Sequence, residues 1–278
     1  MIKCDFHTHS TASDGKLSPA ELANEAKKRE IKYLALTDHD TLSGIDTIKA
    51  ECEKLDINFI PGVELSTTHH GESVHILGFF KGDDYKAKDL NYFLESLKVK
   101  RIERAKEIVK RLEEHYNIKI KVEDVLKNGK DTIARPHIAR TIIEAGYDYT
   151  MEYIFDNYLG DNCKAFVPAN KLSTTEGIQL LKDFNAAVFL AHPVLLKKLS
   201  AEELLELGFD GIEAIYGLNK PEDNARFINL ADKKGILISC GSDSHGYEDT
   251  DVKHAALGSQ VIHEDYLQRF LDKLDYKK

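Results

Sequence analysis

The sequence predicts an α/β fold, a parallel sheet or barrel interrupted by an all-helical insertion. Three observations carry that prediction. Short apolar runs alternate with amphipathic helical stretches through both ends of the chain, the order that builds βα units around a parallel sheet. The stretch 96–165 is helical throughout, highly charged and without a convincing strand. Nine His, Asp and Glu side chains gather at or just beyond the ends of the apolar runs, the edge at which barrels and doubly wound sheets carry their chemistry.

Taken in order, residues 2–6 form the first strand. A helix over 18–29 follows, with Ser18 as N-cap, Pro19 at the first helical position and Glu21 three residues past the cap. Residues 33–37 form the next strand, Ser43 caps a helix running to Leu55, and 58–64 form a third strand. Segment 65–82 is an antiparallel excursion turning at His70-Gly71. From 86 to 115 a charged helix carries Leu90, Leu94, Leu97, Ile102, Ile108 and Leu112 as its apolar positions. Further helices are expected at 121–128, 135–145 and 149–158. Strands then return at 187–191, 211–215 and 236–240, with helices at 174–183, 200–207 and 221–234, and a last strand at 257–262 precedes a helix at 265–274. The expected division is therefore 1–95 with 166–278 for the strand-bearing domain and 96–165 for the insertion.

Composition bounds the function. A chain of 278 residues suits one large α/β domain or one domain with an insertion, and 42% hydrophobic residues suffice for a sizeable core. No apolar run approaches the roughly 20 residues of a membrane helix, and the N-terminus has no signal-peptide pattern, so the expected location is cytoplasmic. Cys4, Cys52, Cys163 and Cys240 form no C-x-x-C pair; they read as buried small hydrophobes, reduced as in the cytosol. A net charge of −9 without a long basic stretch argues against a grip on duplex DNA. Bound divalent cations would nevertheless convert an acidic pocket into an anion trap, so a phosphorylated substrate stays compatible.

The nine side chains are His7, His9, Asp14, His39, Glu64, His75, His192, Asp243 and His245. His7 and His9 stand two apart, so on a strand both rings face one side and reach one ion. His39 closes the second apolar run, Glu64 the third and His192 the run 187–191, while Asp243 and His245 follow the run 236–240. His75 is the exception, opening the run 76–80 instead of closing one. Imidazoles and carboxylates without thiolate point to a divalent cluster.

Asp5-Phe6-His7-Thr8-His9-Ser10, Thr37-Asp38-His39-Asp40, Pro61-Gly62-Val63-Glu64 and Gly241-Ser242-Asp243-Ser244-His245 together resemble the PHP family, the polymerase and histidinol phosphatase domain. The resemblance covers nearly the whole chain outside the insertion. It implies a distorted barrel of seven βα units with three metal ions on its carboxyl face. In that scheme His7, His9, Glu64 and Asp243 hold one ion, and Glu64 bridges to a second held by His75 and His192. Asp14, His39 and His245 hold the third. The implied chemistry is hydrolysis of a phosphate ester by metal-bound water or hydroxide, with no protein nucleophile. The donors suit manganese, iron or zinc better than magnesium. Asp5, Asp38 and Asp40 are read either as carboxylates orienting an imidazole or as turn and capping groups.

Within the insertion, Ala134-Arg135-Pro136-His137-Ile138-Ala139-Arg140 places Arg135 at the start of a helix, where anions are favoured. The motif is similar to one in the PHP subgroup of nucleotide phosphatases and 5′-3′ exoribonucleases, where an inserted helical domain covers the metals. Arg135 and His137 are the implied contacts to substrate phosphate; Lys164 is a further candidate, for which a solvated lysine is the simpler reading. His69 and His70 are expected at an exposed hairpin tip, and His115, His254 and His263 receive no role. Tyr147, Tyr149, Tyr153 and Tyr158 offer base-stacking faces but read first as helix-packing residues.

The function implied is a metal-dependent phosphoesterase of nucleotides. Its expected substrates are the 3′-phosphate of nucleoside 3′,5′-bisphosphates, short RNA trimmed from its 5′ end, or both. A histidinol-phosphate phosphatase is the enzymatic alternative, and a non-catalytic metal-binding scaffold module is the alternative of another class. The sequence leaves the oligomeric state open.

Overall fold

A computed structural model describes residues 1–129, 133–168, 172–247 and 254–276. The chain divides into two compact units, Met1–Asn91 with Lys171–Lys278, and Tyr92–Asn170.

The first unit is a mixed sheet curled into a nearly closed barrel. Strands β1 (Ile2–Asp5), β2 (Tyr33–Leu36) and β3 (Asn58–His69) pair in parallel. They are joined by helices α1 (Pro19–Lys28) and α2 (Ile45–Lys54). The capping box expected at Ser18 and Glu21 forms, with Pro19 in the first turn. Helix α2 starts later than expected, after Gly44, because the Ser43 hydroxyl pairs with that of Thr41 (3.2 Å) rather than with a helix N–H.

β3 does not stop where the neighbouring strands stop. It continues for 12 residues and turns at His70 and Gly71, whose φ angles are 47° and 80°. Two left-handed residues match the twist of a two-residue hairpin, and β4 (Glu72–Phe79) returns antiparallel along β3. The short β5 (Leu172–Ser173) pairs with β3 beyond the main path. β6 (Ala187–Leu190) adds antiparallel to β4, and β7 (Gly211–Tyr216) and β8 (Leu237–Gly241) continue in parallel. The resulting order is β8-β7-β6-β4-β3-β2-β1, with β9 (Val261–Ile262) antiparallel beside β1. Closure comes from the segment after β1: Phe6 N donates to Cys240 O (3.0 Å), Asp243 N to His7 O (2.9 Å) and His9 N to Ser244 O (3.0 Å). The last strand, β9 (Val261–Ile262), is shorter than expected. Gly258 turns the chain at φ 68° and its N–H goes to the Asp5 carboxylate (2.7 Å) instead of a sheet partner.

Helices α7 (Thr174–Asp183), α8 (Ala201–Leu205), α9 (Pro221–Lys234) and α10 (Glu264–Lys273) complete this unit. α10 delivers Phe270 to a cluster with Phe6, Phe79 and Phe189, at ring separations of 4.7, 5.1 and 5.4 Å. All four rings are fully buried, so the residue preceding His7 is anchored in the core.

The second unit is helical. α3 (Lys88–Tyr116), which begins just before it, is followed by α4 (Val122–Gly129), α5 (Arg135–Glu144) and α6 (Met151–Ile154). A wide helical turn over Phe155–Leu159 comes next. Ala105, Ile108 and Leu112 on one face of α3 pack with Val125, Ile138, Ile142, Ile154 and Leu159. Tyr147, Tyr149 and Tyr158 lie against this core, the packing role first read for them, while Tyr153 is 45% exposed. Cys4, Cys52 and Cys240 are buried, but Cys163 is only half-buried, beside the carbonyl oxygens of Phe155 and Asp156. Among the described residues no helix is long and apolar enough to cross a membrane.

Candidate metal centre

All nine side chains singled out in the sequence come together at one end of the barrel. His7 and His9 lie on the segment that leaves β1 and meets the end of β8. His39 follows β2 and bridges to Glu64 on β3. His192 follows β6, and Asp243 and His245 follow β8. His75 looked exceptional because β4 runs backwards. Its amino half lies opposite the extension of β3, with His75 paired to Ser66, so the residue that opens its run reaches the same rim as those that close theirs.

Glu64 is the hub. Its Oε2 lies 2.9 Å from His39 Nδ1, 3.2 Å from His9 Nε2 and 3.3 Å from His7 Nε2. Its Oε1 lies 2.7 Å from His75 Nδ1 and 3.0 Å from His192 Nε2. Asp243 Oδ1 stands 3.0 Å from His9 Nε2 and 3.3 Å from His7 Nε2. Asp14 stands 3.3 Å from His245, 3.7 Å from His9 and 3.8 Å from His39. Among the described residues, ligand atoms within 4.8 Å of one another form four sets: His7-His9-Glu64-Asp243, His39-Glu64-His75, His9-Asp14-His39-His245 and Asp243-His245-His254.

Burial makes this arrangement costly without a cation. Buried polar atoms normally find partners, and each unpartnered one costs about 1–3 kcal/mol. Among the described residues eight buried side-chain atoms have none, and six of them belong here: His7 Nε2, both ring nitrogens of His9, His39 Nδ1, Glu64 Oε2 and Asp243 Oδ1. Four of the six face one another across the first set. Nitrogen and oxygen donors without thiolate are a combination that divalent transition metals take.

A model of the PHP domain matches residues 5–274. The chain belongs to the PHP domain family. Similar proteins include the 5′-3′ exoribonuclease Rnm of Salmonella typhimurium, 32% identical over 252 residues, 87% of this chain and 84% of that protein. The 3′,5′-nucleoside bisphosphate phosphatase of Chromobacterium violaceum is 30% identical over 265 residues, 91% of this chain and 92% of that protein. Among solved structures, a candidate metal-dependent phosphoesterase from Bifidobacterium adolescentis superposes with a TM-score of 0.78 at 29% identity, covering 98% of this chain and 96% of that one.

Electrostatics in this PHP barrel follow from packing carboxylates among imidazoles. Burial alone would strip His7 and His9 of a second proton, but the carboxylates facing them outweigh it. His7 rises well above the ordinary imidazole value, driven by Glu213, Asp243 and Glu64, and His9 rises to about 10. Burial likewise opposes, without overcoming, the imidazoles that hold Glu64, Asp14 and Asp243 below the usual carboxylate range. His75 and His245 go the other way, lowered by burial and by neighbouring imidazoles. With no cation bound, protons on His7 and His9 would supply positive charge against these carboxylates, while His75 and His245 would stay neutral more readily.

Of the two readings given to Asp5, Asp38 and Asp40, the contacts favour the one in which they hold turns and loops. Asp38 accepts from Ser10 N (2.7 Å), Ser10 Oγ (2.7 Å) and Ser13 Oγ (2.5 Å), fixing the loop that carries Asp14. Asp40 accepts from Ser66 N (2.8 Å). Asp5, raised to about 6 by burial, accepts from Ser242 N (2.9 Å) and Oγ (2.6 Å) and from Gly258 N.

Three residues at the centre escaped the sequence reading. Glu213 on β7 lies behind His7, at 3.0 Å from Nδ1. The Tyr216 hydroxyl donates to Asp243 Oδ2 (3.1 Å). His254, first given no role, stacks on His245 at 4.0 Å and comes within 3.9 Å of Asp243. Only Glu213 left a signal, a charged residue inside an otherwise apolar strand, GIEAIY.

Arg135 and His137 belong to the helical unit. The Arg135 guanidinium lies over the rings of Phe155 (5.9 Å) and Phe166 (5.4 Å), with its Nη1 donating to Asp161 (2.6 Å) and Leu159 O (3.0 Å). His137 Nδ1 accepts from Ala134 N (3.1 Å), capping α5.

Proposed function

We propose that this chain is a metal-dependent phosphoesterase of nucleotides, removing the 3′-phosphate of nucleoside 3′,5′-bisphosphates and trimming short RNA from its 5′ end. The observation that carries the reading is the convergence of buried, unpartnered donor atoms from His7, His9, Glu64 and Asp243. Relatives of similar length named for both activities support the choice of substrate. We assign the nine side chains as ligands of up to three manganese, iron or zinc ions, divided as the family resemblance implies. Bound divalent ions supply Lewis acidity to a phosphoryl group and acidify water.

The protein's own contribution is placement. Glu64 brings five imidazoles within 3.3 Å of one carboxylate, and Asp38 holds the Asp14 loop against them. Arg135, whose guanidinium lies over two rings and is held by Asp161, is assigned to capture substrate phosphate, with His137 beside it at the helix start. A planar guanidinium matches two phosphate oxygens, and aromatic faces spare it the entropy of ordering. We assign it a cytoplasmic location, the one expected from the sequence.

The test is a product assay with manganese supplied, on adenosine 3′,5′-bisphosphate, 5′-phosphorylated RNA and histidinol phosphate. The expected outcome is phosphate release from the first and mononucleotides from the second. Preferential cleavage of histidinol phosphate would establish the alternative enzyme, and no turnover of any would leave a scaffold.

A further inference from the structure

We propose that Glu213 is a positioning residue of the centre, fixing which nitrogen of His7 faces the metal and holding the strained backbone of His192. This rests on the reading of His7 and His192 as metal ligands. Glu213 is fully buried on β7. Its Oε1 lies 3.0 Å and its Oε2 3.2 Å from His7 Nδ1, and its Oε2 also accepts from His192 N at 2.7 Å. Both oxygens are thus engaged on the far side of the His7 ring. The near side is His7 Nε2, unpartnered, 3.3 Å from both Glu64 and Asp243.

A carboxylate only accepts hydrogen bonds. Facing one, Nδ1 of a neutral His7 carries the ring proton and the lone pair falls on Nε2, which points at the other ligand atoms. The second contact acts on a different strand connection. His192 has φ 27° and ψ 61°, a left-handed conformation unfavourable for a residue with a Cβ. A hydrogen bond from its N–H to a buried carboxylate helps to hold it there. Gly241 makes room for the arrangement, since a Cβ on it would collide with His7 Cβ and Glu213 Oε1. One side chain therefore couples the ring of a residue after β1 to the backbone of a residue after β6.

The discriminating variant is Glu213→Gln. Its amide oxygen can still accept from His192 N, but its NH₂ then faces His7 Nδ1 and donates, forcing the ring proton onto Nε2. Zinc titration of the stripped proteins reads the consequence. The expected result is zinc affinity down about 10–100-fold, the usual effect of losing a carboxylate behind a ligating imidazole, with the stripped variant folded but melting below the parent, since His7 loses a buried charged partner. Equal zinc affinity and stoichiometry in both proteins would overturn the role of Glu213 alone. A parent chain that takes up no zinc would overturn the metal reading itself, and this proposal with it. Should the variant not fold, nitrogen-15 spectra of the zinc-loaded parent decide. Protonated Nδ1 with zinc-bound Nε2 on His7 is expected, and zinc-bound Nδ1 refutes the proposal.

Discussion

Replacing Glu64 with glutamine removes one charge while nearly preserving the side chain's volume, and it should cost more metal than any other single substitution at the rim. Glu64 touches five imidazoles at 2.7–3.3 Å and belongs to two of the sets of clustered ligand atoms. Breaking one member out of a buried charge pair costs about 3–5 kcal/mol. At about 1.4 kcal/mol per tenfold, that is roughly a hundredfold to a few thousandfold in affinity for each cation that leans on this carboxylate. Asp14→Asn is the control. Its side chain is 28% exposed, its imidazole neighbours are 3.3–3.8 Å away, and among the sets that include Glu64 it appears in none. Elemental analysis after dialysis against micromolar manganese or zinc should show Asp14→Asn retaining metal that Glu64→Gln loses. A Glu64→Gln protein holding as many ions as the parent, at similar affinity, would refute the hub assignment.

Metal uptake should rise with pH. His7 and His9 in the metal-free chain are raised, His9 to about 10, so a cation at their set must displace their protons, and log affinity should climb by up to about two per pH unit below that value. Uptake that is flat from pH 6 to 8 in a buffered titration contradicts this. The same two groups make the stripped chain's stability pH-dependent. Because their folded values lie above the unfolded one, their contribution is complete below about pH 6.5 and fades as pH rises toward 10, which thermal melts will follow. Phe270→Ala, emptying the ring cluster beside His7, should cost about 3–5 kcal/mol and lower the melting temperature by roughly 6–20 °C. Arg135→Ala should leave metal content unchanged and raise KM for a nucleotide bisphosphate roughly tenfold or more; loss of metal would contradict the division between the two units.

The sequence carried much of the centre because its residues sit in short local motifs. His7 and His9 declare themselves by a two-residue spacing, and Asp243 and His245 by following an apolar run. His75 was legible as a residue type but not as a position, since its place depends on β4 running antiparallel, which the hairpin at His70-Gly71 decides. Glu213 was missed because its partner is 206 residues away, on a strand met only through barrel closure. His254 lies in no motif, and nothing in the sequence around it points to Asp243. Asp5 and Asp38 were read with two roles open, orienting an imidazole or holding a turn; their partners include serines on neighbouring loops, a choice that only the closed barrel fixes.

The most direct test strips the purified protein with a chelator and follows phosphate release from adenosine 3′,5′-bisphosphate before and after manganese is restored. The convergence of His7, His9, Glu64 and Asp243 predicts that release stops on stripping and returns with the metal. Release that continues undiminished in the stripped protein would contradict it.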